Sequence, residues 1–151
     1  MNLIIKLMED DYYDLLYKVI LIGDTRVGKT NILSKYINKK FYKNSKPTVG
    51  VELGIRIFKI KGYSCKLQIW DTAGHKRYKS ITEAYYKGSK CAFVVYDITQ
   101  KSTFDNIDEW IKGLKSETDN NVSIIILGNK SDLENERQIT KEQGESKAKK
   151  I

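Results

Sequence analysis

Eight contiguous residues, Gly23-Asp24-Thr25-Arg26-Val27-Gly28-Lys29-Thr30, restrict what this chain can fold into more than any other stretch. They follow directly on the apolar run Lys18-Val19-Ile20-Leu21-Ile22, which reads as a buried strand, and precede Ile32, Leu33, Tyr36 and Ile37 at helical spacing. Strand, loop and helix in that order fit G-x-x-x-x-G-K-[ST], where glycines let the backbone curl round an anion and present its N–H groups to phosphates. In that arrangement Lys29 reaches the β- and γ-phosphates and Thr30 offers its hydroxyl to Mg²⁺, while the helix opening near Lys29 points its positive end at the same charge. A chance glycine-lysine turn is the alternative; the strand before and the helix after weigh against it.

The chain has 151 residues, 40% hydrophobic and 30% charged, which suits one domain with its own core. No apolar run approaches the roughly 20 residues that span a bilayer. Met1-Asn2-Leu3-Ile4-Ile5-Lys6-Leu7-Met8 is too short and too weakly basic for a secretory signal, so a cytosolic place is expected. Cys65 and Cys91 both fall in apolar strand-like runs and read as buried free thiols, and a single histidine leaves no metal-ligand cluster. A net charge of +8 invites nucleic acid or an anionic membrane. The lysines are dispersed, however, over Lys39, Lys40, Lys43 and Lys46, then Lys76, Arg77 and Lys79, then Lys147, Lys149 and Lys150. With no aromatic-basic platform or groove-reading motif, they read as a solvated surface around a polyanionic ligand, and nucleic acid is not an expected partner.

Along the chain, residues 1–14 read as an N-terminal arm. Asn38 to Thr48 is polar and basic with Pro47 and suits a mobile connection. Val49 to Ile60 and Tyr63 to Trp70 alternate apolar with polar around Lys61-Gly62, a hairpin signature, and Asp71-Thr72-Ala73-Gly74 interrupts the second strand. Cys91 to Asp97 and Ser123 to Gly128 are continuous apolar runs, as in strands covered on both faces. Between them Phe104, Ile107, Trp110, Ile111 and Leu114 form a helical stripe over Ser102–Leu114, with Ser102 or Thr103 as its cap. Thr140-Lys141-Glu142-Gln143 is a capping-box pattern opening a helix expected to be still running at Ile151. Strands alternating with helices argue an α/β fold with a mostly parallel sheet and its ligand at the strands' C-terminal ends.

Two more constellations stand after apolar strands. Asp71 follows Leu67, Ile69 and Trp70, where a carboxylate can hold Mg²⁺ through its waters; alone it would read as a turn former. Asn129-Lys130-Ser131-Asp132 follows Ile124 to Leu127, where an acceptor-only Asp132 can take both hydrogens of the N1 and N2 edge of guanine, a pair adenine lacks. An Asn-Lys turn capping a helix is the plain alternative.

These three sites, in this order from about Asp11 to Glu142, resemble the small GTPase superfamily. Val49-Gly50-Val51-Glu52-Leu53, Lys66-Leu67-Gln68-Ile69-Trp70-Asp71-Thr72-Ala73-Gly74, Arg77-Tyr78-Lys79-Ser80-Ile81-Thr82, Tyr85-Tyr86-Lys87-Gly88 and Val95-Tyr96-Asp97-Ile98-Thr99 resemble the Rab branch. Asp10-Asp11-Tyr12-Tyr13-Asp14-Leu15-Leu16-Tyr17-Lys18 is similar to its recycling-endosome members. The resemblance implies a small G domain over residues 15–151, with one antiparallel hairpin strand in the sheet and helices on both faces. It further implies GTP or GDP with Mg²⁺ as ligands. Nucleotide contacts would come from Gly23, Asp24, Thr25, Arg26, Val27, Gly28, Lys29, Thr30 and Asn31. Phe41 would pack edge-on to the guanine, and Ser45, Thr48, Asp71, Gly74, Asn129, Lys130 and Asp132 would complete the set. Thr30, Thr48 and Asp71 would surround the metal, and Lys29, Thr48, Gly74 and His75 would serve GTP hydrolysis. Effectors would read Val49, Gly50 and the exposed triad Leu53, Trp70 and Tyr85, with an exchange factor and an activating protein as further partners. Loss of the γ-phosphate would release the Thr48 and Gly74 segments.

The chain departs from that pattern in places. His75 stands where the family has the glutamine that orients the attacking water, so slow intrinsic hydrolysis is expected. Activating proteins of Rabs supply their own arginine and glutamine, so the resemblance implies that assisted turnover would survive this change. Leu53 replaces the usual phenylalanine of the triad, and Lys76 replaces a glutamate. Arg26 replaces a glycine, either leaning over the phosphates or, the favoured expectation, pointing to solvent. The Ser-Ala pair that closes over guanine, the last strand, the final helix and the prenylation cysteines are not in this sequence. The strand at Ile124–Leu127 is therefore expected at an open edge, which a second copy of the chain could cover, and membrane association is left open. A non-catalytic decoy that occupies Rab effectors or regulators is the competing function.

Overall fold

The computed structural model describes residues 12–119 and 121–151. Expectations for residues 1–11, most of the arm and the apolar stretch Met1–Met8, lie outside the described residues. Among those described, five strands form one sheet: β1 Leu15–Ile22, β2 Val51–Ile60, β3 Tyr63–Thr72, β4 Cys91–Asp97 and β5 Ser123–Asn129, in the order β2-β3-β1-β4-β5. β1 lies parallel to β3 and β4, β5 lies parallel to β4, and β2 runs antiparallel to β3. The hairpin turns on Lys61 and Gly62 at φ 49° and 87°, the left-handed pair whose twist matches two antiparallel strands.

Helices cover both faces. α1 (Lys29–Asn38) packs Leu33, with Ile32 and Ile37, against Leu21 and Ile69 on one face. The other face carries α2 (Lys79–Glu83), α3 (Lys101–Asp105), α4 (Ile107–Glu117) and α5 (Lys141–Ala148). There Ile107, Trp110, Ile111 and Leu114, spaced to fall on one stripe of α4, bury against Ile20, Ile22, Val94 and Tyr96. β4, apolar up to its last residue Asp97, is buried or half-buried along its length because both faces are covered. Single 3₁₀ segments, Lys76–Tyr78 and Ser131–Glu136, complete the described elements. No described helix is long and apolar enough to cross a membrane.

Several boundaries differ from the sequence reading. β2 begins at Val51 rather than Val49, and β3 continues through Asp71 and Thr72, which pair with Glu52 and Val51. The stripe over Ser102–Leu114 is two helices meeting at Asn106, and neither Ser102 nor Thr103 caps the first. The Thr103 hydroxyl instead accepts from Asp97 N at 3.0 Å and donates to Gln100 O at 2.8 Å, so the end of β4 takes the group a cap would need. The capping box does form, with Gln143 N donating to Thr140 Oγ1 at 3.2 Å and Thr140 N to Gln143 Oε1 at 2.8 Å. Its helix ends at Ala148 rather than running to Ile151. Cys65 is buried as expected, whereas Cys91 at the start of β4 is half-buried.

The sheet order puts β2 and β5 at the edges, so the Ile124–Leu127 strand is an edge strand, as expected. Tyr17 and Ile125, in register with Leu67 and Phe93 on the α1 face, are 41% and 43% exposed. β1, β3, β4 and β5 all end on the same side of the molecule, and the loops that follow them converge there.

Candidate functional site

A cavity of about 640 Å³ opens at those strand ends, within the range of small-molecule sites. Its walls are Thr25, Arg26, Gly28, Lys29, Thr30 and Asn31 from the loop and α1, Phe41, Ser45 and Thr48 from the connection to β2, Gly74 after β3, and Asn129 at the end of β5 with Lys130 and Asp132 after it. Segments over 100 positions apart meet here because parallel strands deliver their C-terminal ends to one side.

Lys29 lies in the first turn of α1, 5% exposed, with Nζ donating to Gly23 O at 2.8 Å and Asp24 O at 2.7 Å. Burial draws its pKa down to about 8, against the pull of Asp71 and Asp24. Thr30 Oγ1 donates to Asp71 Oδ2 at 2.6 Å and lies 2.7 Å from Thr48 Oγ1, so two hydroxyls and a carboxylate gather at one point. Asp71 is fully buried, and desolvation pushes its pKa up to about 6 despite the Thr30 hydrogen bond and the Lys29 charge. Its Oδ1 has no hydrogen-bond partner among the described residues. An orphaned carboxylate oxygen beside two hydroxyls is a hard-oxygen donor set, and these residues fit Mg²⁺.

The base end of the cavity is braced from two sides. Asn129 Nδ2 donates to Val27 O at 2.8 Å, and a Cβ on Gly28 (φ 99°) would fall 2.3 Å from that nitrogen, so only glycine leaves room. Lys130 pairs with the buried Asp97 at 2.5 Å, which leaves Asp132 exposed in the 3₁₀ segment at the cavity mouth. Asn31 and Tyr42 exchange hydrogen bonds at 3.0 and 2.9 Å, holding the connection against α1 with Phe41 at the rim, 66% exposed. Gly74 rests directly on the loop: a Cβ there would fall 2.3 Å from Asp24 C.

Some sequence-derived site residues lie elsewhere. Val27 is fully buried beneath the cavity, and Gly23 is packed against Val95 O at the end of β1. The Asp24 carboxylate turns away from the cavity, onto Asn106, just before α4, and Trp110 within it. His75 is exposed and not on the cavity wall, and its Nδ1 accepts from Arg77 N at 3.2 Å. Arg26 sits exposed at the rim with φ 64°, a left-handed conformation that glycine adopts without cost and arginine does not. Lys43, Asn44, Lys46, Pro47 and Leu133 also line the cavity. Their only sequence signal was membership of a polar connection or of the turn after Asp132.

Residues 18–151 match the model of the Ras family. The chain belongs to the Ras family. Over 141 residues it is 50% identical to Ras-related protein RABA1b of Arabidopsis thaliana, covering 93% of this chain and 65% of that protein. It is 48% identical to Ras-related protein Rab2BV of Beta vulgaris over 141 residues, 93% of this chain and 66% of that one. Ras-related protein Rab11C of Lotus japonicus is 47% identical over 135 residues, 89% and 62% of the two chains. The chain thus spans a little under two thirds of the length of these relatives, 65% for the first. The Rab branch to which the sequence pointed is the one these relatives carry in their names.

In this Ras-family chain two of the residues expected to meet effectors, Leu53 and Trp70, lie opposite each other in the hairpin, and Tyr85 packs beside Trp70. Leu53, 42% exposed, stands opposite Trp70 in the β2–β3 register, and the Trp70 and Tyr85 rings lie 5.4 Å apart. Lys18 Nζ lies over Trp70 at 5.0 Å from the ring centroid, a contact with no local sequence signal. Val49 is 73% exposed, and the Gly50 carbonyl accepts from Ala73 N at 2.9 Å, tying the start of β2 to the end of β3.

Proposed function

We propose that residues 15–151 form a Rab-type switch that binds GTP and GDP with Mg²⁺, hydrolyses GTP slowly and offers effectors a surface that depends on the nucleotide. The observation that carries this reading is the meeting of three separate motifs on one cavity: the phosphate loop, the Thr30–Thr48–Asp71 cluster and Asn129-Lys130-Ser131-Asp132. Lys29 spends two of its three N–H donors on Gly23 O and Asp24 O, and the third serves the phosphates. The N–H groups of the loop and of Gly74 serve the same oxygens, and the Asp132 carboxylate takes the N1 and N2 hydrogens of guanine. Thr30, Thr48 and Asp71 would hold Mg²⁺, which when bound supplies positive charge against the β- and γ-phosphates.

Slow turnover follows from His75. Its Nδ1 is engaged as an acceptor, so the neutral ring carries its proton on Nε2 and has no free acceptor for an attacking water. An activating protein that brings its own arginine and glutamine bypasses that defect. Leu53, Trp70 and Tyr85 meet effectors, an exchange factor reloads GTP, and the place of work is the cytoplasm. The engaged His75 also favours a second reading, a non-catalytic chain that occupies Rab effectors or regulators. Extraction of bound nucleotide, followed by GTP loading and phosphate release with Mg²⁺ beside a His75→Gln variant, separates the two. Bound guanine nucleotide with faster release by the variant is expected; a chain that neither carries nor loads nucleotide would leave only the decoy.

A further inference from the structure

Asp24 lies inside a loop meant for a polyanion, which is a poor place for a carboxylate unless its charge is occupied elsewhere. Oδ2 accepts from Asn106 Nδ2 and Oδ1 from Trp110 Nε1, each at 2.7 Å. The donors are four positions apart and fall on one face at the start of α4. Trp110 is only 6% exposed, so one bond reaches into the core that α4 makes with the sheet. The Asp24 backbone meanwhile does two things for the cavity. Its carbonyl oxygen accepts from Lys29 Nζ at 2.7 Å, and the same carbonyl forms the wall on which Gly74 rests.

We infer that Asp24 is a positioning residue: its carboxylate ties the phosphate loop to α4 and so holds the backbone that places Lys29 and Gly74 for a bound nucleotide. The inference rests on the nucleotide-binding reading above and assigns that site a support outside its own motifs. A carboxylate suits the task because it accepts from two donors at once without reorienting. Asparagine has one acceptor oxygen and would set its own NH₂ against a second donor, and alanine has neither. The two donors also direct the negative charge away from the cavity, so the loop remains cationic toward its ligand.

The test is the dissociation rate of a fluorescent GDP analogue from the full chain in Mg²⁺, with Asp24→Ala, Trp110→Phe and the pair combined, beside thermal unfolding of each without nucleotide. Phenylalanine keeps the apolar bulk at 110 and removes only the donor. Loss of one charge-assisted hydrogen bond predicts about a tenfold faster release for Trp110→Phe, and loss of both predicts a larger increase for Asp24→Ala. The double variant should release no faster than Asp24→Ala, since the bond lost at 110 is already gone. Asn106→Ala, which leaves the core intact, should act in the same direction if Trp110→Phe folds poorly. Lower melting temperatures with unchanged release, or effects that multiply in the double variant, would overturn the tether and leave nucleotide binding standing. A wild-type chain that takes up no GDP would overturn both.

Discussion

Arg26 and Asp71 show two ways in which a residue of the candidate site lowers the stability of the chain itself. Arg26 holds φ 64°, which for a side-chain-bearing residue costs about 1–2 kcal/mol, part of which glycine gives back as unfolded-chain entropy. Arg26→Gly should therefore stabilise the chain by roughly 0.5–1 kcal/mol, read as a higher urea midpoint at unchanged slope. Burial raises the Asp71 carboxyl from 3.8 to about 6. Between those values the folded chain keeps a proton that the unfolded chain has lost, so this group's contribution to stability falls as pH rises through that window and stays lost above it. Asp71→Asn removes the titration. The nucleotide-free variant should gain on the order of 2 kcal/mol at pH 7, with the gain fading as pH falls toward 3.8. The same variant should lose the tightening of GDP by Mg²⁺; equal Mg²⁺ dependence in both chains would remove Asp71 from the metal site.

At the scale of elements, α4 is where the loop and the segment after His75 are both held. One position before Trp110, Glu109 takes Lys79 at 2.9 Å and Lys76 at 3.6 Å. One turn further, a Cβ on Gly113 would fall 2.7 Å from Glu83 Oε1, so α2 lies close against this helix. Lys76, which stands where the resembled family has a glutamate, thus has an acidic partner on α4. The Glu109 side chain is 48% exposed, so the pairing is worth well under 1 kcal/mol and is screened by salt. Glu109→Gln should accelerate amide exchange across Lys76–Glu83 by about twofold at low ionic strength, and the difference should vanish at high salt. A difference that persists at high salt would mean that packing rather than charge holds the segment.

For the whole molecule, the cavity joins the segments that follow β1, β3 and β5 to the start of α1 and the connection to β2, so a ligand there ties together parts of the chain that are far apart in sequence. GDP at a hundredfold excess over its dissociation constant should add about 2.7 kcal/mol, a rise in melting temperature on the order of 5–10 °C for a domain of this size. Chelating Mg²⁺ should reverse part of that rise, and no shift with GDP would count against the site. The sequence alone determined each feature whose cause is local. The phosphate loop, the Lys61-Gly62 hairpin, the Thr140 capping box and the apolar runs of β4 and β5 all follow from neighbours in the chain, through backbone freedom, side-chain reach and periodicity. It also implied that three motifs serve one ligand, because each follows an apolar strand. The tertiary structure decided which partner a polar group takes when several compete. The Asp24 carboxylate goes to donors 82 and 86 positions away, and Lys130 after β5 pairs with Asp97 at the end of the neighbouring β4. Those choices rest on distances that exist only once the sheet has brought its strand ends together.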